Sequence, residues 1–340
     1  MYNYGNGVTP YRFTMRPMVF LTTKGRRDVV LFFDAPKLLP REWRLDAFIG
    51  REQQLATPYY GVGNTTAYDS TLEREPNVYY YRYGRTTLRV VANLQHQLGK
   101  LPARGLIGAG FNDVRTDAIP FDSGTTLFAS HFGAASPPKG RLGYLRAGLV
   151  WDTRDREVAP HSGTYGDLLV QRVDKALGST TSYTRFTGIL RKYWPISDRV
   201  VFAQRLLAQH ISGPVPIYDL PIVQTSFQQQ EGLGGSSSVR GLGKDRFVGK
   251  GLSQLNSEVR WRFKEFRLRG KPASLTSSTF FDVGRVWSDG LLGSDGGGLH
   301  TGYGTGLRVG LGPSFVVSLD LARSSENSGT QIYIGLGYPF

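Results

Sequence analysis

Three charged side chains in the last third of the chain could form one ion-pair cluster. Arg240 lies in the tetrapeptide Val239-Arg240-Gly241-Leu242, and Glu258 and Asp282 follow in two segments where polar and apolar residues alternate. A guanidinium stays ionised and can pair with a carboxylate through two parallel hydrogen bonds. If the two segments are adjacent strands, Glu258 and Asp282 share a face and one loop cation could reach both. Alternatively, Arg240 is a solvated loop charge and the carboxylates line a wet interior.

Other reactive constellations are missing from the sequence. The chain has no Cys, which excludes disulfides, thiolate metal sites and a cysteine nucleophile. It has no His-Glu-x-x-His, no Gly-x-Ser-x-Gly and no phosphate loop, and GLGGSS at 232–237 reads as a flexible loop. Asp152, Asp155 and His161 are interpreted as charge pairs or turn caps. We therefore predict no catalytic residue, metal, cofactor or small-molecule substrate, and a protein that is not an enzyme.

The chain is strongly basic. Lys and Arg number 41 against 27 Asp and Glu among 340 residues, a formal net charge of +14. A nucleic-acid-binding protein concentrates basic residues in a patch or module. Here the arginines are scattered, as between Arg104 and Arg205, which is typical of a wet barrel interior and of rims facing anionic lipid. We therefore predict no nucleic-acid partner.

The composition and the periodicity indicate an all-β protein. Gly 43, Tyr 18, Phe 19 and Trp 5 suit a transmembrane barrel, which needs aromatic girdles and glycine where strands crowd. About fourteen segments alternate like strands between turn residues, and convincing amphipathic helices are missing. The segments are 12–23, 26–35, 42–52, 78–97, 103–117, 142–153, 164–174, 181–194, 198–210, 250–264, 273–287, 299–311, 314–323 and 330–340. We predict an antiparallel transmembrane β-barrel.

The clearest alternation lies in 299–311. One face carries Leu299, Tyr303, Leu307 and other apolar residues, and the opposite face carries His300, Arg308 and four glycines. A packed soluble core would not select a glycine-rich face, and a soluble sandwich would fill its polar face with Lys and Glu. One apolar face and one small or polar face describe a wall between lipid and a wet interior.

Two long connections interrupt the strands, at 53–77 and at 211–249. Outer-membrane barrels have short turns on one side and long loops on the other, and a loop near 40 residues implies a function. No run approaches 18 apolar residues, so no transmembrane helix is expected. The start, MYNYGNGVTPYRF, lacks the basic and apolar regions of a signal peptide, so we expect a mature or N-terminally truncated chain.

The last ten residues, QIYIGLGYPF, form the most apolar face of the chain. Ile332, Ile334, Leu336, Tyr338 and Phe340 alternate with smaller or more polar residues. A soluble core and lipid are both possible partners for such a face, although a terminal carboxylate is costly to bury in a core. The glycine face of 299–311 favours lipid, so we predict that this set faces the membrane.

Together these motifs resemble one family. Val-Arg-Gly-Leu in a long loop, then Glu258, then Phe280-Phe281-Asp282-Val283-Gly284, resembles the outer-membrane assembly factor superfamily, also called bacterial surface antigens. YYGVGN at 59–64, WDTRDREVAPHSG at 151–163 and the terminal Phe are similar too. That superfamily includes the barrel subunit of the β-barrel assembly machinery, two-partner secretion transporters and barrels fused to patatin-like lipases.

The resemblance implies a site and a complete architecture. Residues 1–340 would be a single outer-membrane β-barrel domain whose complete barrel has sixteen strands, the first two lying upstream of Met1. The long loop would fold into the lumen with Arg240 as its tip cation, Asp282 as the main partner and Glu258 as a second. Phe280 and Gly284 belong to the partner strand of the motif. Tyr338 and Phe340 would form the C-terminal assembly signal.

The resemblance also implies a function and a location. The barrel would insert outer-membrane proteins or translocate polypeptides in the outer membrane of a Gram-negative-type bacterium. Its partners would be outer-membrane lipid, client polypeptides and the assembly machinery. A passive pore, or a membrane anchor for an upstream domain such as a patatin-like lipase, is the alternative, and a soluble basic β-protein is a third.

Overall fold

The computed structural model describes residues 2–3, 11–36, 43–122, 124–227, 229–312 and 315–340. Fifteen strands form one antiparallel sheet in which each strand pairs with its neighbour in sequence. The strands are β1 (Tyr2–Asn3), β2 (Phe13–Leu21), β3 (Arg27–Ala35), β4 (Trp43–Pro58), β5 (Arg82–Gln97), β6 (Ala103–Asp117), β7 (Lys139–Asp152), β8 (Gly163–Val173), β9 (Tyr183–Ser197), β10 (Val200–Ser212), β11 (Gly251–Leu268), β12 (Lys271–Trp287), β13 (His300–Leu311), β14 (Phe315–Ser324) and β15 (Asn327–Leu336). The predicted all-β barrel fold is confirmed: β2 to β15 match the fourteen predicted segments, and β1 is an addition.

Helical structure is minor. Among the described residues one helix, α1, spans Leu127–Phe132, and three 3-10 turns lie at Ser70–Leu72, Pro120–Asp122 and Lys175–Leu177. In the part of the chain that the structure describes, no helix has the length and apolar character needed to cross a membrane. The short helix and turns all lie in connections between strands.

The sheet is apolar outside and polar inside. On β14, Leu319 and Leu321 are exposed whereas Ser318 and Asp320 are buried. The largest fully buried side chains include arginines, among them Arg308. A soluble protein would bury its leucines and expose its arginines. The observed inversion is that of a wall with lipid outside and a polar interior, which confirms the transmembrane-type barrel.

Connections that are far apart in the sequence meet at one rim. Asn64, which follows β4, donates from Nδ2 to the Gly298 carbonyl at 2.9 Å, and its Oδ1 accepts the Val286 amide at 3.0 Å. Gly63 bridges to Val248. Because β4 and β12 are separated by seven strands in the sheet, these contacts show that the sheet curls around a lumen. Among the described residues, β1 pairs only with β2 and β15 only with β14, so that ladder does not close.

The boundaries of the two long connections differ from the prediction. β4 continues to Pro58, so the first six residues of the predicted 53–77 loop are strand, and the connection is 59–81. The second connection, here named the lumen loop, is 213–250. Polar residues at the end of β4 had resembled a loop because they face a wet interior rather than a core.

The end of the chain departs from the predicted alternation. β15 ends at Leu336 because Gly337 takes a left-handed φ of +83°. Ile332 and Ile334 are exposed on the outer face of the sheet, but Phe340 is buried against Tyr193. The lipid-facing assignment of Phe340 is therefore wrong, since the strand period stops where the backbone turns inward.

Candidate functional site in the barrel lumen

The lumen loop is held in the barrel by an aliphatic cluster. Its members from the loop are Val223, Leu233, Val239, Leu242 and Phe247, and those from the wall are Ile189, Leu207, Leu252 and Val286. Val239 and Leu242 flank the arginine of the tip, and both are almost fully buried. Burial of such side chains stabilises docking by roughly 1.5–3 kcal/mol each. Leu242 packs in this cluster beside Val239.

Arg240 pairs with both predicted carboxylates. Its Nε and Nη2 donate to the two carboxylate oxygens of Asp282 at 2.8 and 3.0 Å, and its backbone amide donates to the same group at 3.2 Å. Its Nη1 donates to Glu258 at 3.1 Å. All three side chains are fully buried. The bidentate pair fixes the loop tip against β12, because two parallel hydrogen bonds restrict the orientation of the guanidinium relative to the carboxylate.

Phe280 and Asn256 complete the surroundings of Arg240. The guanidinium carbon lies 3.4 Å from the centre of the Phe280 ring, a cation–π contact. Asn256 donates to Asp282 at 2.8 Å and to the Ser238 carbonyl at 2.8 Å. The amide therefore ties the carboxylate to the loop backbone beside the arginine.

The cluster extends to two further cations and a third carboxylate. Arg308 donates to Asp320 at 2.6 Å, and Asp320 also lies 3.5 Å from Arg240 Nη1. Arg260 donates to Glu258 at 3.1 Å. Three guanidinium groups thus face three carboxylates in a site that excludes solvent. Because each buried cation lies beside a buried carboxylate, their attraction offsets the cost of removing both from water. Loss of any one member leaves an unpaired buried charge.

Glycines of β12 and β13 form the floor on which the tip lies. A Cβ on Gly302 would lie 1.7 Å from the Arg240 carbonyl oxygen, and one on Gly284 would lie 2.4 Å from Leu233. At the tip itself, Gly241 has φ +97° and lies against the backbone of Arg323. The glycine face that the sequence assigned to a wet wall is therefore the surface that receives the loop.

A tyrosine connects the loop tip to the last strand. The Tyr333 hydroxyl accepts the Gly241 amide at 3.1 Å and donates to the Leu242 carbonyl at 3.1 Å. Tyr333 lies on β15, whose outer edge has no partner among the described strands. The tip therefore contacts β12 through Asp282 and the edge strand through Tyr333.

Sequence reasoning missed Arg308, Asp320 and Tyr333 as members of the site. A signal existed, because Arg308 and Asp320 lie on the inward faces of two predicted strands and Tyr333 on the less apolar face of the last. Alternation assigns a face, but it does not give the height along the barrel at which a loop meets it. All the predicted loop and partner residues do lie in the cluster: Gly284 contacts Val239 and Leu233, and Phe280 lies against Arg240.

One loop carboxyl has an altered pKa. Asp245 lies in the lumen loop and is almost fully buried. Burial raises the pKa of this carboxyl to about 6, and the neighbouring Lys244 partly opposes the increase. Its Oδ1 accepts the Gly232 amide at 2.9 Å. A proton on Asp245 therefore favours the docked loop over a solvated one.

Asp152 and Asp155 of the 151–163 segment hold local structure. Arg154 pairs with Asp152 at 2.8 Å, and Asp155 accepts the backbone amides of His161 and Ser162 at 2.9 and 3.2 Å. Among the described residues no group of three His, Cys, Asp or Glu side chains could hold a metal ion.

A polar-lined antiparallel barrel with a long loop docked on its inner wall defines the class of this protein. A family model described as the Omp85 superfamily domain matches residues 27–340, so the chain belongs to the Omp85 superfamily. The family resemblance found in the sequence is thereby confirmed. No curated protein matches the chain.

Solved structures with the same fold include three barrels. BamA from Haemophilus ducreyi lacking POTRA domains 1–3 is 14% identical, with a TM-score of 0.59. The alignment covers 92% of this chain and 62% of the BamA chain. CdiB from Escherichia coli is 14% identical, with a TM-score of 0.57, and the alignment covers 93% of this chain and 52% of the CdiB chain. CdiB from Acinetobacter baumannii is 13% identical, with a TM-score of 0.54, and the alignment covers 96% of this chain and 53% of the CdiB chain. The chain therefore spans between about half and three fifths of the length of these proteins.

Proposed function

We propose that this chain is an outer-membrane barrel that inserts outer-membrane proteins or translocates polypeptides. Residues 1–340 would act as one barrel domain in the outer membrane of a Gram-negative-type bacterium, with lipid, client polypeptides and assembly machinery as partners. Membership of the Omp85 superfamily supports the class. The docked Arg240 carries the proposal, because a fully paired buried charge fixes a long loop inside the barrel.

The proposed mechanism uses the edge strand β15. An unpaired strand edge presents backbone donors and acceptors to an incoming strand, which can add by β-augmentation. The lumen loop would brace the wall from β12 to β15 while this edge is engaged. Tyr333 supports that role, since it is bonded to the tip at both Gly241 and Leu242.

Tyr338 and Phe340 keep their proposed role as an assembly signal. In the folded barrel Arg260 donates to the backbone oxygen of Phe340, the last residue, at 2.9 Å, so the terminal segment lies inside. The signal would therefore be read before this segment folds inward. A machinery that recognises aromatic side chains at this end would find Phe340 accessible only in the unfolded chain, whereas Tyr338 is partly exposed in the folded one.

Substitution of Arg240 tests the proposal. Arg240→Ala should fold less well by heat-modifiable migration in detergent and should insert a urea-unfolded outer-membrane barrel protein into liposomes more slowly. Arg172→Ala is the matched control, because its side chain is half exposed and pairs with Asp174 outside the lumen cluster. Unchanged folding and insertion by Arg240→Ala would contradict the proposal.

The pore or anchor alternative makes a different prediction. A passive pore should give a large, steady conductance in planar bilayers, whether or not a client is present. The lumen loop argues against a wide open channel, because it packs on the glycine floor of β13. An anchor would insert no client and would be recognised by an upstream enzymatic domain in the full gene.

A further inference from the structure

The hairpin that joins β11 to β12 extends past both neighbouring strands. β10 pairs with β11 only as far as Trp261, and β13 pairs with β12 only from Ala273 onward. In the described sheet, residues 264–271 pair only with each other, and all of them are exposed. The lumen loop precedes β11 and this turn follows it, so the hairpin projects from the opposite rim of the barrel.

The projecting hairpin is strongly basic. Its cations are Arg262, Lys264, Arg267, Arg269 and Lys271, and its single carboxylate is Glu265. Glu265 pairs with Arg262 at 3.1 Å, and among the described residues no carboxylate lies within ion-pair distance of the other four cations. The adjacent turn, whose Asp198 carbonyl accepts a hydrogen bond from Arg262, adds one carboxylate and the cation of Arg199. The hairpin therefore presents a surplus of positive charge to solvent.

The tip of the hairpin holds an arginine that the turn geometry does not favour. Arg269 and Gly270 have φ of +50° and +79°, as in a two-residue type I′ turn. Asn, Asp or Gly is the usual first residue of such a turn, because larger side chains disfavour left-handed backbone. Arg269 thus adds a charge at the outermost point of the hairpin without supporting the fold of the turn.

One face of the hairpin alternates apolar side chains with lysines. The paired positions on this face are Lys264 with Leu275, Phe266 with Ala273 and Leu268 with Lys271. On the two-residue period of β12 they share the side of Phe281, which is exposed on the outer wall of the barrel. Phe266 is 37% exposed and Leu268 48%. The apolar outer wall therefore continues along the hairpin, where ammonium groups flank it.

We propose that this hairpin binds the phosphate headgroups of anionic phospholipids in the membrane leaflet at its rim. The proposal rests on the membrane location given under Proposed function. Basic residues near a bilayer surface are attracted to anionic lipid, and exposed Phe and Leu side chains enter the boundary between headgroups and acyl chains. Lysine stems can lie along apolar surface while the ammonium groups stay among the phosphates.

A lipid is a better match to this surface than a soluble acidic polypeptide. Phe266 and Leu268 lie on the same face as the outer wall, so they point toward the bilayer and not toward the lumen. A soluble partner would find these apolar groups directed at the membrane surface. Lipid headgroups meet both the apolar side chains and the lysines from that one direction.

The test measures lipid selectivity beside the hairpin. The chain has no Cys, so Leu275→Cys in the full chain gives one site for a fluorescent label, directly opposite Lys264. In vesicles, nitroxide-labelled phosphatidylglycerol should quench the label more than nitroxide-labelled phosphatidylcholine at equal mole fraction. Adding Lys264→Gln should lower this selectivity about fivefold, the effect of one charge near an anionic surface.

Lys139→Gln in the same labelled background is the matched control. Lys139 is exposed at the start of β7, at the rim of the long connections, so its loss should leave the selectivity unchanged. Lys271→Gln replaces Lys264→Gln if that variant does not fold. Raising NaCl to 1 M gives a further test without any added variant, because it shortens the screening length to about 3 Å and should remove the selectivity.

Folding is checked first in phosphatidylcholine vesicles by heat-modifiable migration. Failure to form a barrel there would contradict the proposed membrane function, whereas a folded barrel without lipid selectivity would overturn only the hairpin proposal. Equal quenching by the two lipids would favour an acidic protein as the occupant. An equal loss of selectivity in Lys139→Gln and Lys264→Gln would also overturn the proposal, because the effect would then come from net charge and not from the hairpin.

Discussion

Replacing Arg240 by alanine should release the lumen loop from the barrel wall. The substitution removes the cation that Asp282 holds at 2.8 and 3.0 Å and that Glu258 holds at 3.1 Å. Arg260 and Arg308 would then face three carboxylates, which leaves one buried negative charge without a partner. The loss of a cation is therefore more serious here than the loss of its hydrogen bonds alone.

The expected cost is about 3–5 kcal/mol, the usual result of removing one partner from a buried ion pair. This energy lowers the ratio of docked to undocked loop by about 140- to 3,700-fold, at 1.4 kcal/mol per factor of ten. The double variant Arg240→Ala/Asp282→Ala should cost less than Arg240→Ala, because it also removes the unpaired charge. Arg240→Lys should lie between the wild type and Arg240→Ala, since it keeps the charge but loses the bidentate geometry.

Hydrogen exchange of the lumen-loop amides measures this directly, and trypsin cleavage after Lys244 and Arg246 provides a second measure. Both residues remain in every variant, so cleavage at these two bonds can be compared even though Arg240→Ala removes the trypsin site after residue 240. Arg172→Ala should leave exchange and cleavage unchanged, since its ion pair lies outside the cluster. If the loop of Arg240→Ala stays as protected as in the wild type, the electrostatic account of docking is refuted.

Four further variants test separate parts of the structure. Gly241→Ala should expose the loop to trypsin, because its φ is +97° and a Cβ would lie 2.5 Å from the Arg323 backbone; retained protection would contradict this. Tyr333→Phe should speed hydrogen exchange in β15 while leaving β9 unchanged, since it loses both bonds to the tip. Asp245 has a raised pKa of about 6 in the docked loop, so lowering the pH from 8 to 5.5 should increase loop protection, and Asp245→Asn should abolish that dependence. Phe340→Ala should slow barrel folding and cost on the order of 3 kcal/mol by leaving a cavity beside Tyr193; normal heat-modifiable folding would count against it.

Much of the fold could be predicted from local sequence. Alternation along 299–311 assigns Tyr303 and Leu307 to one face and Arg308 to the other, and the structure has them exposed and buried accordingly. The period of two is a property of the strand backbone itself, so it can be read from the sequence without knowing which strands are adjacent. It fails where the backbone leaves the strand, as at Gly337, and Phe340 then lies inside rather than outside.

The candidate site divides in the same way. The family resemblance named Arg240, Glu258 and Asp282, whose side chains the structure brings within hydrogen-bond distance. Arg308 and Asp320 join them only because strand register and loop docking set the same height along the barrel for β11, β13 and β14. No local pattern encodes that height.

The sequence by itself therefore determined an antiparallel wall with an apolar outer face, a polar inner face and a long loop with a cationic tip. Residue type and the two-residue period are sufficient for the two faces of the wall, because each depends on chain neighbours alone, and the family resemblance supplied the cationic tip of the loop. Tertiary structure alone decided what the loop contacts: the glycine floor of β13, Asp282 of β12 and Tyr333 of the edge strand. Those contacts join residues separated by tens of positions, and their geometry exists only once the sheet has curled around the loop.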